Sequence, residues 1–262
     1  VSWRLHLWSS LRAVLADRRK RSLLMVAGLA VTVNWLVYIW AVNTGHVIES
    51  SLGYFINPLL TVLLGVIVLR ERLRRMQWAA VGIATVAIVV LSVDYGRLPW
   101  IALVLACSFA LYGFLKKQAA VGAVESLTIE TGTVTLPALV TLGVLASTGH
   151  LAFGHHGVGN VLLLIGSGVV TSVPLLFFGA AARWLPLSTI GLMQYLTPVL
   201  QFLVGVLIDH ETMPTSRWAG FGLVWVALVV LSVDGVRNQR GVVLARRSTH
   251  AAEAAAAAAD PG

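Results

Sequence analysis

Charge is scarce in this chain. Only 11% of its 262 residues are Asp, Glu, Lys or Arg, where a soluble globular domain carries about 25%. That is too little to clothe a water-soluble surface of this size. Acidic residues are the rarer sign, with 11 Asp and Glu against 19 Lys and Arg. The basic excess does not make a nucleic-acid face, because the Lys and Arg lie in short gaps between apolar runs and form no continuous stripe. Cys107 is the single cysteine, so an intrachain disulfide and a Cys-based metal site are both excluded. No Gly-x-x-x-x-Gly-Lys-Ser/Thr phosphate loop occurs, which excludes direct powering by ATP. His-Glu-x-x-His and Gly-x-Ser-x-Gly are missing too, so the chain carries neither of these catalytic signatures. Nothing resembles a channel filter or a ring of charges.

What remains is apolar and arranged in long runs. Hydrophobic residues make up 58% of the chain, and the mean hydropathy is +0.85. A helix crossing the hydrocarbon core needs roughly 20 apolar residues. Runs of that length occur at 22–42, 46–69, 76–93, 99–115, 126–148, 160–182, 187–208 and 217–234. The expected fold is therefore an all-α integral membrane bundle of about eight transmembrane helices, with the lipid bilayer as its surroundings. Residues 1–21 are amphipathic and basic, with no continuous apolar core of the signal-peptide kind. Residues 235–262 end in an alanine-rich, low-complexity tail.

Charge gives the expected orientation. With the N-terminal segment in the cytoplasm and the sides alternating, every Lys and Arg except Arg97 and Arg217 falls in a cytoplasmic segment. A helix count wrong by one would scramble this split. Both termini are thus expected in the cytoplasm, in the inner (plasma) membrane of a bacterial-type cell.

The chain also repeats itself without a gap at an offset of 140 residues. Pro58 matches Pro198, Gly65 matches Gly205, Glu71 matches Glu211, Trp78 matches Trp218, and Leu91-Ser92-Val93-Asp94 matches Leu231-Ser232-Val233-Asp234. The loop 70–75 is basic, while its counterpart 210–215 has no Lys or Arg. The two copies are therefore expected to cross in opposite senses. Inverted repeats of this kind characterise secondary transporters that hold substrate between the copies, near the midplane. Residues 22–94 form the remainder of the first copy and 99–234 the second. The 140-residue shift places the partners of spans 99–115 and 126–148 before residue 1, so the first copy reads as truncated.

Polar groups inside the spans are the candidate site. Ser50, Tyr54, Asn57 and Thr61 recur at three- and four-residue steps, which is one stripe of a helix. The shift maps Tyr54, Asn57 and Thr61 onto Gln194, Thr197 and Gln201. Such groups must face protein or a wet cavity. They suit two facing walls of a substrate path, and equally interhelical hydrogen bonding. Pro58 and Pro198 each remove a mid-span hydrogen bond and are candidate kinks. Asn34 and Tyr38, one turn apart, are further candidates for the path. Glu49 and Glu130 are the acids that enter apolar spans. Each is a candidate for proton coupling or for a helix N-terminal cap. His150, His155 and His156 have no acidic or Cys partner nearby and read as a solvated loop, so neither metal nor cofactor is expected. The expected partner is a small solute. Its identity and the oligomeric state are not legible.

Several strings resemble the EamA family of the drug/metabolite transporter superfamily. They include Ser51-Leu52-Gly53-Tyr54-Phe55-Ile56-Asn57-Pro58-Leu59, Asn34-Trp35-Leu36, Arg74-Arg75-Met76-Gln77-Trp78, Ser108-Phe109-Ala110-Leu111-Tyr112-Gly113 and Thr171-Ser172-Val173-Pro174-Leu175-Leu176. The resemblance implies ten helices in two inverted five-helix repeats. It also implies transport of a small solute, with a non-transporting membrane component or a channel as the alternative and a membrane-embedded enzyme further behind.

Overall fold

The computed structural model describes residues 2–95, 99–149, 153–154, 157–197 and 200, and within 218–234 residues 218, 219, 222, 223, 225–227, 229, 230, 233 and 234. Every regular element among them is helical: α1 Ser2–Ala16, α2 Arg18–Asn43, α3 Val47–Ile67, α4 Arg75–Tyr95, α5 Trp100–Ala119, α6 Ala123–Ser147, α7 Gly157–Trp184 and α8 Leu187–Gln194. Four of them, α2, α5, α6 and α7, are long and apolar enough to cross a membrane. The spans expected at 46–69 and 76–93 correspond to α3 and α4, which hold shorter apolar stretches, Leu52–Ile67 and Arg75–Val90. The expected span at 187–208 is described only in its first part, and that at 217–234 only at scattered positions.

The chain divides into two compact units, Val1–Glu71 with Arg97–Gln194, and Arg72–Gly96 with Tyr195–Gly262. The first unit holds α1–α3 and α5–α8. Within it α5 packs chiefly on α2 and α3, α3 on α8, and α2 on α6. In the second unit, Arg74 at the start of α4 pairs with the buried Asp234 at 2.6 Å.

The basic N-terminal segment is helical over most of its length and breaks at Asp17. The Asp17 carboxylate accepts from the Arg19 and Lys20 amides and caps α2. Arg18, Arg19, Lys20 and Arg21 then fill the first turn of α2, against its dipole. One carboxylate at the cap offsets part of that repulsion.

Close helix contacts in the first unit run through glycines. A Cβ on Gly28 of α2 would lie 2.9 Å from the Glu130 carbonyl oxygen of α6, and one on Gly53 of α3 would lie 3.2 Å from the Ala102 carbonyl oxygen of α5. Small residues let backbones approach where lipid gives no hydrophobic drive between helices. The first unit has two recognisable ends. At one, Val14, Leu24, Ala119, Val121 and Ile129 form a cluster, and the Lys117 ammonium donates to the Leu185 carbonyl. At the other, the Trp40 ring lies 5.4 Å from His46 and 5.6 Å from Trp100. Half-exposed tryptophans of this kind favour the membrane–water interface.

Candidate functional site

Helices α3 and α8 run antiparallel and meet along one seam. The Asn57 amide donates to Gln194 Oε1 at 3.2 Å. One turn on, a Cβ on Gly191 would lie 2.8 Å from the Pro58 carbonyl oxygen and 3.0 Å from the Val62 amide nitrogen, so only glycine fits there. Another turn on, Gly65 faces the Ser188 amide nitrogen, 2.9 Å from the place of a Cβ. Thr61 is buried between these levels. Its hydroxyl donates to the Asn57 carbonyl at 2.9 Å and lies 3.4 Å from Asn57 Oδ1. The Gln194 Nε2 is buried and has no hydrogen-bond partner among the described residues. Burying an amide donor unpaired costs free energy, and a hydrogen-bond acceptor placed there would recover it.

The seam joins one residue from each of the two stripes that the sequence set out, though not a pair related by the 140-residue offset. Asn57 belongs to the first copy's stripe, and Gln194 is the counterpart of Tyr54 in the second. Ser50 is buried on the same helix, and Tyr54 stacks edge-on against Tyr38 at 5.9 Å between centroids. Pro58 sits inside α3 without ending it. Thr197 belongs to the second unit and is exposed. Gln201 and Pro198 lie outside the described residues, as do His150, His155 and His156. Glu49 falls in the first turn of α3, and its side chain is outside the described residues.

Asn34 makes a packing contact. Its amide donates to the Leu105 carbonyl at 2.8 Å and to the Ser108 hydroxyl at 3.0 Å, tying α2 to α5. Such bonds hold membrane helices together.

Glu130 lies two turns inside α6, too far from the N-terminus to cap it. Its Oε1 pairs with the Lys116 ammonium at 2.7 Å and also accepts from Ser126, while Oε2 accepts from the Tyr112 hydroxyl at 3.1 Å. Both charged side chains are almost wholly buried. Lys116 also lies 5.0 Å from the centre of the Tyr112 ring, and a Cβ on Gly179 of α7 would lie 3.2 Å from its nitrogen. The sequence offered a signal for this partner. An acid inside an apolar span requires a counter-charge, and Lys116 lies in the last turn of the preceding helix.

A second carboxylate, Glu71, is held by three donors of α8. Glu71 Oε1 accepts from the Leu187 amide at 2.7 Å, and its Oε2 accepts from the Ser188 amide at 2.8 Å and the Ser188 hydroxyl at 2.6 Å. These are orphan donors of the first turn of α8. Pro186, which precedes that turn, has no side-chain acceptor, so Glu71 supplies the cap from a distant segment. Arg70 turns the chain to do this at φ +55°, in the left-handed region, and the Glu71 amide donates back to the Gly65 carbonyl at 3.0 Å. The signal was the recurrence of Glu71 as Glu211 in the repeat.

The fold defines a class: a multi-pass helical membrane protein with a buried polar seam. Residues 5–93 match the profile of the EamA-like transporter family. Protein RarD of Streptomyces exfoliatus is 53% identical over 249 residues, which is 95% of this chain and 77% of that protein. Protein RarD of Escherichia coli (strain K12) is 43% identical over 89% of this chain and 79% of its own length. An uncharacterized transporter, YojE, of Bacillus subtilis (strain 168) is 40% identical over 89% of this chain and 77% of its own. A crystal structure aligns over 87% of this chain and 93% of its own at a TM-score of 0.56 and 17% identity, a likeness of fold alone. The chain belongs to the EamA-like transporter family.

Proposed function

We propose that this protein is a secondary transporter of a small, neutral, polar solute, driven by a gradient and not by ATP. The observation that carries the reading is the Asn57–Gln194 contact at 3.2 Å, where polar stripes of the two internal copies meet inside an apolar bundle. Secondary transporters bind at the junction of inverted repeats. A neutral amide pair with one buried donor unpartnered among the described residues suits a solute that presents a hydrogen-bond acceptor and no net charge. The proposed architecture is two inverted repeats of the five-helix kind. The proposed site is the inner (plasma) membrane, with both termini in the cytoplasm. Glu49 and Glu130 are the proposed candidates for proton coupling.

The test is a flux screen. Proteoliposomes holding the protein are loaded with a mixture of neutral amino acids, polyols and other uncharged metabolites, and exchange is followed by mass spectrometry under an imposed pH gradient. The expected result is saturable movement of one class, lost in Asn57→Ala and Gln194→Ala. Glu130→Gln or Glu49→Gln should keep downhill exchange and lose accumulation if that residue carries the proton. Flux that is absent in every condition, or that never saturates, sinks the reading.

A further inference from the structure

We propose that Glu71 is a positioning residue that closes the α3–α8 seam at one end, so that releasing its carboxylate from Leu187 and Ser188 opens the path to Asn57 and Gln194 from that side. The inference rests on the transport reading of that seam and assigns its closing element.

The seam is a ladder. Asn57 meets Gln194 at its inner level, Gly191 sits against Pro58 and Val62 in the middle, and Gly65 faces Ser188 at the outer level. Beyond Gly65 the Glu71 carboxylate bridges the two helices, with three donors from two successive residues of α8. A carboxylate at a helix N-terminus is favoured by the dipole and by the orphan amides. Here it belongs to the loop that leaves α3, so the cap of one helix is also the tie to its neighbour. The contact is close-packed as well as charged. A Cβ on Gly65 would fall 2.8 Å from Glu71 Oε2, so the glycine keeps the space the carboxylate occupies.

Such a tie has two states. When it is made, Thr61 is 1% exposed and the amide pair beyond it is sealed from the Glu71 end. When it is broken, α8 loses its cap and its register on α3 at that end only, because Asn57–Gln194 and the Gly191 contact hold the other end. Water and solute then gain a route from one side. A group that merely stabilised α8 would loosen the seam without this sidedness.

The experiment uses the full chain with Cys107→Ser and Thr61→Cys, reconstituted in membrane vesicles. A cationic, membrane-impermeant methanethiosulfonate reagent is applied from either side. The parent should be slow to label from both sides. Glu71→Ala should raise the rate from the Glu71 side by about tenfold or more and leave the other side unchanged. Ser188→Ala, which removes one donor of three, should give a smaller rise of the same sidedness and covers the case in which Glu71→Ala fails to fold. Unchanged labelling in a folded Glu71→Ala, or an equal rise from both sides, overturns the proposal. Flux of the neutral-metabolite mixture is followed in parallel vesicles of the same preparations with Thr61 kept. One-sided opening with no flux in any preparation sinks the transport reading and keeps the closure. Flux with no change in labelling does the reverse.

Discussion

Lys116 and Glu130 are the residues for which burial and charge are most at odds. Each has given up water for one opposite charge; Glu130 also accepts from Ser126 and Tyr112, and Lys116 lies over the Tyr112 ring. Removing one partner of such a pair leaves the other buried and uncompensated, a loss of about 3–5 kcal/mol, whereas removing both is often near neutral. Lys116→Met is therefore expected to lose stability on that scale in detergent unfolding. The double variant Lys116→Met with Glu130→Gln should recover most of it, since Gln can still accept from Tyr112. A double variant as weak as the single one would mean that packing, and not charge, dominates there. At this scale the sequence was half legible. Its alternation of apolar runs with single polar residues pointed to Asn34, Asn57 and Glu130. It did not say that Asn34 turns to Leu105 and Ser108, or that Glu130 is tied to Lys116. Partner choice depends on how α2, α5 and α6 rotate against one another, and no periodicity within one helix encodes that.

Helices were more legible than contacts. An apolar run long enough for the hydrocarbon core can satisfy its backbone only as a helix, so α2, α3, α4, α5, α6 and α7 each coincide with an expected span to within a few residues. The departures sit at the ends, where polar residues join the helix. Asp17 draws four basic residues into α2, and Lys116 and Lys117 continue α5 past the apolar run. The seam was visible only as a spacing of polar residues along two stripes. Its energetics can be tested by adding one methyl group. Gly191→Ala forces a Cβ against the Pro58 carbonyl and the Val62 amide nitrogen, an overpacking that costs about 1–3 kcal/mol. Gly82 of α4 has no heavy atom of the described residues within 4 Å of such a Cβ. Gly82→Ala should instead be neutral or gain up to about 1 kcal/mol, because alanine restricts the unfolded chain and suits the helix interior. Thermal unfolding of the two variants side by side reads the contrast. Equal losses would show that the α3–α8 approach is not tight.

At the scale of the molecule, charge and fold bear on the same question by different routes. In the first unit, contacts gather the end of α1, the start of α2, Lys117, Leu185 and the Glu71 tie at one end. Trp40, His46 and Trp100 lie at the other. The first end carries Arg18, Arg19, Lys20, Arg21, Lys117 and Arg183, so it is the end that the positive-inside rule assigns to the cytoplasm. The proposed inverted repeat goes further and has the two copies cross in opposite senses. Gln77 opens a span that leaves the basic loop 70–75, and its counterpart at the 140-residue offset is Arg217, beside a loop without Lys or Arg. In a Cys107→Ser background, Gln77→Cys and Arg217→Cys should therefore react with a membrane-impermeant maleimide from opposite sides. Gln77→Cys should label in inverted vesicles and Arg217→Cys in intact spheroplasts. A parallel repeat would put both on one face, because the same stretch of sequence would then cross in the same sense twice. Labelling of both cysteines from the same side would refute the inverted arrangement. It would also remove the proposed pseudo-symmetry that sets the stripes of Asn57 and Gln194 against each other, and leave their contact as ordinary packing between neighbouring helices.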